Sequence, residues 1–375
     1  MNLFVFGSSI TSSYWNGAAT YYRGCYKYLA RMGHRIVFAE PDAYGRQQHR
    51  DESDFSYVES VVYRPATDID AMLRRAAMAD VVIKHSGIGV DDELLEQRVL
   101  ECLPRSAVIF WDVDAPATIA RLHENPGDAF HRAIPRYDAI FTYGGGPEIR
   151  NAYLELGARS YSSIYNGLDP ETHFPVPADA ELRCDLAFVG NRLPDREARV
   201  NELFLKAAEL APEKRFLLGG EGWGDKRLPA NVRWIGHVPT ADHNRINCSA
   251  GIVLNINRAS MANCGFSPPT RVFEAAGAGA CLLCDEWPGI DSFFEPEKEI
   301  LVARTAQEIV ETLRRHSPQD RRRIGTALRD RALRHHSYAR RAETADAAFR
   351  DCLRRRQTPV SIAQPAASTV PGEHV

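Results

Sequence analysis

The sequence predicts an α/β protein built from two doubly wound domains that face each other across a cleft. Three observations carry this expectation. Short apolar runs alternate with helical patterns along most of the chain, the signature of parallel sheets wrapped by helices. The alternation breaks at one stretch rich in Pro and turn formers, Asn166 to Arg183, which has no sustained period. The 375 residues also exceed the usual reach of one hydrophobic core.

Asn2 to Phe6 reads as the first strand. A small polar loop follows to about Asn16, then a helix to Met32 that Gly33 stops, then a strand from Arg35 to Ala39. Val81 to Lys84, Ala107 to Trp111 and Ala139 to Thr142 repeat the unit, each followed by Gly, Pro or Asp and a helical pattern. These runs place a first domain at residues 1–168 and a linker at 169–183. A second domain, residues 184–335, has strands at Asp185 to Val189, Arg215 to Leu218, Val232 to Ile235, Gly251 to Ile256 and Ala280 to Cys284. From Ala306 to Arg356 the pattern is helical and arginine-rich, with Arg321, Arg322 and Arg323 in succession. A solvated face that compensates helix dipoles is the plainer account of that run than an anionic partner. Residues 357–375, poor in large apolar side chains, are expected to be a disordered tail.

Hydrophobic residues make up 44% of the chain, charged residues 25%, and the formal net charge is −3, which is the balance of a soluble globular protein and gives no reason to expect nucleic acid. No run approaches the roughly 18 apolar residues of a spanning helix. Met1 to Ile10 has no basic leader, so a cytoplasmic protein is expected. Eight scattered cysteines read as reduced, buried thiols. Cys281 and Cys284 form a CxxC, but residues i and i+3 of a strand face opposite ways, which disfavours a metal or redox pair.

In doubly wound sheets ligands bind beyond the carboxyl ends of the strands. The first loop, Gly7 to Ser12, is not GxGxxG, and the nearest acid to the second strand's end is Glu40, so a dinucleotide fold is disfavoured. Gly190, Asn191 and Arg192 form a strand-to-loop turn where glycine lets a ligand approach and Arg192 can fork two bonds to phosphate. Ser267-Pro268-Pro269-Thr270-Arg271 leads into a helix whose free amides, with Arg271 in the first turn, favour an anion. Glu274 lies one turn on, either in reach of ligand hydroxyls or in a salt bridge to Arg271. Gly220 follows an apolar strand, and His237 sits at a tight strand exit, as a base contact or as a structural turn residue.

In the first half, Asp112 and Asp114 stand at a strand end, spaced so that both can share one face. Either can be a general base toward an acceptor hydroxyl; the pair can also hold a divalent metal, or simply cap the strand. The phosphate features lie in the other half, which favours the base role without a metal. Tyr14, Trp15, Asn16 and Gly17 offer aromatic faces and an amide to an acceptor, or else close an ordinary loop. His85, in Lys84-His85-Ser86-Gly87, and the run Gly144-Gly145-Gly146 are further candidate cleft liners.

The order NGLDP, VGNR, LGG, GHV and PTRVFEAAGAGACLLCD resembles the donor-binding half of the CgeB-like, spore-maturation-type glycosyltransferases, and more distantly the glycosyltransferase group 1 enzymes. The likeness is strongest over Asp185 to Thr305. It implies a GT-B fold of two Rossmann-like domains, transfer of a hexose-type sugar from a nucleotide-diphosphate donor to an unidentified acceptor hydroxyl, and neither metal nor resident cofactor. By motif, Glu274 matches the glutamate that holds the donor ribose, and Arg271 and Arg192 fall where diphosphate contacts are expected. Such enzymes often carry a second glutamate eight positions earlier, where this chain has Phe266. That departure keeps open a noncatalytic maturation or coat-associated protein; a nucleotide-sugar epimerase of the same fold is a further alternative. His336 to Arg341 resembles the start of a terminal helix, residues 336–356, that packs back toward the first domain.

Overall fold

The computed structural model describes residues 1–14, 16–51 and 55–357. Trp15 and residues 358–375 of the expected tail lie outside them, and Gln357 is the last residue of a helix.

The first sheet holds β1 (Asn2–Phe6), β2 (Arg35–Pro41), β3 (Glu59–Tyr63), β4 (Val81–His85), β5 (Ala107–Asp112), β6 (Ala139–Thr142) and β7 (Tyr161–Ser163). All pairings are parallel, in the order β3-β2-β1-β4-β5-β6-β7. Its crossovers carry α1 (Ala19–Arg31), α2 (Ile69–Ala76), α3 (Asp92–Arg98), α4 (Ala115–Glu124), α5 (Phe130–Ala133) and α6 (Gly146–Glu155). Alternation explains why the central strands are apolar throughout. Phe4 and Phe6 of β1 enter one core while Leu3 and Val5 enter the other, because both faces of a parallel sheet are covered.

The second sheet holds β8 (Cys184–Val189), β9 (Phe216–Gly219), β10 (Val232–Trp234), β11 (Ala250–Asn255), β12 (Leu282–Asp285) and β13 (Leu301–Ala303), again all parallel, in the order β10-β9-β8-β11-β12-β13. Around it run α7 (Pro194–Val200) and α8 (Lys206–Leu210), joined by a π-helical turn, then α9 (Thr240–Ser249), α10 (Ala259–Cys264), α11 (Thr270–Ala278), α12 (Ala306–Arg315), α13 (Pro318–His335) and α14 (Tyr338–Gln357). Cys281 and Cys284 enter opposite cores, and none of the eight cysteines is paired.

The helical end of the chain is three helices. α13 opens with a capping box in which the Ser317 hydroxyl and the Asp320 carboxylate each accept the other residue's backbone N–H. A bridge between Leu168 and Ser337 then ties the two interdomain crossings together: Leu168 N–H donates to His336 O (2.8 Å) and Tyr338 N–H to Leu168 O (2.9 Å). Beyond it, α14 packs along α1 with Tyr338, Ala342, Ala345, Phe349 and Cys352 buried in the first domain's core, and the Phe349 ring stacks on Phe141 at 5.7 Å.

Candidate functional site

In the second sheet the strand order reverses between β8 and β11, and a cavity of about 370 Å³ opens at that switch point. Its walls come from the turn after β8 (Gly190, Asn191), the end of β11 (Asn255), the α9 residues Thr240 and His243, and the start of α11 (Thr270, Arg271). The turn is tight. Gly220, at φ +121°, lies so close that a Cβ there would stand 2.3 Å from Gly190 O, so only glycine lets the two loops meet. No side chain caps the start of α11, which leaves its first amides directed at the cavity.

Two guanidinium groups face this space. Arg271 reaches its own Glu274 carboxylate at 3.0 Å, and His243 Nδ1 reaches the same oxygen at 3.2 Å. Burial alone would raise the pKa of Glu274, but the charges of Arg271, His243 and His173 outweigh it and hold the carboxyl far below its ordinary range. Of the two roles expected for Glu274, the structure shows the salt bridge to Arg271. The other guanidinium, Arg196 in the first turn of α7, has no ion pair or side-chain hydrogen bond among the described residues, and its Nε is buried. Burial first, then the charges of Arg271 and Arg258, depress its pKa. An arginine so placed stays charged; Asp195 and Asp285 offset its desolvation only in part, so an arriving anion at the cavity is favoured.

Arg192 is turned away. It does not line the cavity; its guanidinium donates to Glu197 (2.8 Å), Asp225 (2.8 Å) and Gly222 O (3.2 Å). The cavity position expected for it belongs to Arg196, whose Cα–Cβ bond, in the first helical turn, tilts back over Gly190. Gly190, Asn191, Gly220, His237, Thr270 and Arg271 do line the cavity. Ser267 is buried at the domain junction beside Gly144 instead, and next to it the Phe266 carbonyl accepts Gly145 N–H at 3.0 Å. The Phe266 ring, on a residue with φ +45°, fills the space above Gly146 of the first domain and Gly289 of the second.

The donor atoms of His173, His243 and Glu274 lie within 4.8 Å of one another, a spacing that suits a metal ion. Arg271, 3.0 Å from the Glu274 oxygen, already supplies a cation at that carboxylate.

The two aspartates of the first domain part company. Asp112 is fully buried and saturated: Ser86 Oγ (2.6 Å), Tyr153 OH (2.5 Å) and Asp114 N–H (2.9 Å) donate to it, which corrects the expectation that it enters the cleft. Asp114, the residue just before α4, is open to solvent at the cleft and faces Arg258 of the second domain. Crowding by the cleft walls, then the Asp112 carboxylate, push its pKa up against the pull of Arg258.

The first-domain loop is less accessible than its composition implies. His85 is a core residue, because β4 is covered on both sides: Nε2 pairs with Tyr26 OH at 2.6 Å, Nδ1 with Trp111 O at 3.2 Å, and burial pushes its pKa down to about 3. Asn16 ties the loop internally, donating to Ser9 O (2.7 Å) and Ser12 O (2.9 Å). Tyr14, with its ring on His49 at 4.0 Å, and Gly17 are exposed. Glu40 lies within β2 and accepts the Ile10 N–H at 2.8 Å, which anchors the loop to the sheet.

Residues 196–347 match the model of a glycosyl transferase-like family, a span that begins at Arg196 and ends within α14. No curated protein sequence matches the chain. Among solved structures, sucrose-phosphate synthase from Thermosynechococcus elongatus aligns at TM-score 0.65 and 12% identity over 95% of this chain and 100% of that one. Anabaena HepE in complex with UDP-glucose aligns at 0.63 and 11% over 94% and 100%. An alpha-glucosyltransferase in complex with UDP-glucose and DNA containing an abasic site aligns at 0.66 and 13% over 93% and 99%. The chain therefore has the GT-B fold of two Rossmann-like domains.

Proposed function

We propose that the protein transfers a sugar from a nucleotide-diphosphate donor to an acceptor hydroxyl. The observation that carries this reading is the convergence of the unpaired Arg196, Arg271 and the uncapped start of α11 on one cavity at the second sheet's switch point. Those groups neutralise a diphosphate and stabilise the negative charge that grows on it as it leaves. The match to a glycosyl transferase-like family and the UDP-glucose complexes of like-folded proteins support the donor class. With guanidinium groups and amides assigned to that charge, we take the transfer to need no metal, so a chelator should leave turnover unchanged.

In the proposed step an acceptor oxygen attacks the anomeric carbon. The bond from that carbon to the diphosphate oxygen breaks, its electron pair leaves on the diphosphate, and the acceptor proton passes to a base. Asp114 suits that base, since it opens into the cleft and desolvation there raises its pKa above the ordinary aspartate value, whereas Asp112 is consumed by Ser86 and Tyr153. An accessible base suits inversion at the anomeric carbon. Domain closure would bring Asp114 to the donor and exclude water.

A noncatalytic reading rests on Phe266, which occupies the second glutamate's position and serves as a wedge between domains. Thermal shift against UDP, GDP, TDP and their sugars, followed by assay of donor hydrolysis, tests both. A nucleotide-dependent shift with release of sugar is expected; a shift without release favours the pseudoenzyme, and no shift with any nucleotide overturns the proposal.

A further inference from the structure

We propose that the second domain carries another anion site, at the opposite end of its sheet from the nucleotide cavity, built to hold a small phosphorylated anion. It stands whether or not the transfer reaction is right. A cavity of about 680 Å³ lies at the amino ends of β8 and β11, and Arg183, Arg215, Arg321 and Arg322 line it together with Asn247. These arginines come from three separate segments, the approaches to β8 and β9 and the first turns of α13, so the arginine run seen in the sequence is only half of the cluster.

Among the described residues no acidic side chain lines this cavity. The guanidinium groups of Arg183, Arg215 and Arg322 have no ion pair or hydrogen bond among the described residues. Asp185, next along the chain from the rim, is engaged by Lys214 at 3.9 Å and by the Arg215 backbone N–H at 2.9 Å. Arg321 donates to Leu313 O at 2.8 Å but leaves its buried Nε unpartnered, and it reaches the strand end only because Gly251 has no Cβ, which would stand 2.6 Å from Nη1.

The independent sign is Asn247. It is 1% exposed, lines the cavity, and has neither its amide nitrogen nor its amide oxygen hydrogen-bonded within the protein. A buried amide left so is costly unless a ligand or water meets it, and a protonated phosphate offers both a donor and acceptors. The carboxyl ends of α9 and α11 also point here, each worth about half a negative charge, but four guanidinium groups outweigh them and make the ligand an anion. Because α9 and α11 each run from one cavity to the other, the two sites stand roughly 13–15 Å apart by helix length.

Calorimetry with inorganic pyrophosphate on the full chain tests the proposal, in an Arg196→Ala/Arg271→Ala background that removes both guanidinium groups of the nucleotide cavity. One binding site should remain there. Adding Arg183→Ser, Arg215→Ser and Arg322→Ser, three exposed and unpaired positions, should weaken it at least about tenfold, the equivalent of one lost charge-assisted bond. Asn247→Asp, which places a carboxylate in the same volume, should weaken it too, with thermal melts confirming that each variant folds. Absence of pyrophosphate binding in the background, or equal affinity with and without the three arginines, would overturn the site. Co-sedimentation with phosphatidylcholine vesicles containing phosphatidic acid, without affinity for free pyrophosphate, would overturn the small-anion reading.

Discussion

Arg196 and Arg192 stand four positions apart and differ in what they touch. Arg192 spends its guanidinium on Glu197 and Asp225, whereas Arg196 presents at the cavity wall a guanidinium with no ion pair among the described residues. Arg196→Ala should therefore weaken nucleotide-diphosphate binding by about 1.5–3 kcal/mol, the range of a hydrogen bond to a charged group, while Arg192→Ala should leave affinity nearly unchanged in the same titration. Asp114 sets the second residue-scale expectation. A base acts deprotonated, so turnover should fall as pH drops through its raised pKa, on a limb above the ordinary aspartate range. Asp114→Asn should lower kcat by about a hundredfold or more and remove that limb; an unchanged pH profile would take Asp114 out of the chemistry. What the sequence could tell at this scale was residue type and approximate place. Both Arg192 and Arg196 follow the Gly190 turn, and only the start of α7 at Pro194 decides which one tilts back over it. That helix start was the overlooked signal.

At the scale of elements, the cavity depends on two loops meeting where only glycine fits. Gly220→Ala would put a methyl 2.3 Å from Gly190 O at φ +121°, so the loops must separate. We expect a loss of stability on the order of 1–3 kcal/mol together with weaker nucleotide binding, read by denaturant melts and titration; wild-type affinity in a stable variant would contradict the role given to this turn. The central strands were legible because a parallel strand covered on both faces is a continuous apolar run, as in Val81–His85 and Ala107–Asp112. β3 and β7 were not, since these short edge strands are only partly buried and carry Glu and Ser among their residues rather than an apolar run; β13 is apolar but only three residues long, too short for a period to show. His85 is hidden for another reason, since it ends a central strand. A polar residue at a strand end looks like a cleft liner until the packing of α1 over β4 shows Tyr26 bonded to it.

For the whole molecule, the chain crosses between domains twice, at Leu168 and Ser337, and Phe266 wedges the junction between Gly146 and Gly289. These contacts place Asp114 opposite Arg258 across the cleft, an arrangement that no local pattern in the sequence encodes. Global stability should also respond to pH through buried histidines. Burial, chiefly, pushes both His85 and His336 down to about 3 in the folded chain, whereas the unfolded chain takes up protons near the ordinary value of 6.5. Stability should thus be full above that ordinary value and fall as pH drops below it, by up to about 1.4 kcal/mol per pH unit for each histidine. Denaturant unfolding at about pH 7 and about pH 5 checks this, and equal stabilities would contradict it.

The claim on which the functional account turns is that the second domain grips a diphosphate between α7 and α11. A crystal structure of the protein with UDP-glucose tests it most directly. The account predicts diphosphate oxygens about 2.7–3.1 Å from the guanidinium nitrogens of Arg196 and Arg271 and from the first amides of α11. A diphosphate seated on Arg192, or anywhere outside that cavity, would contradict it.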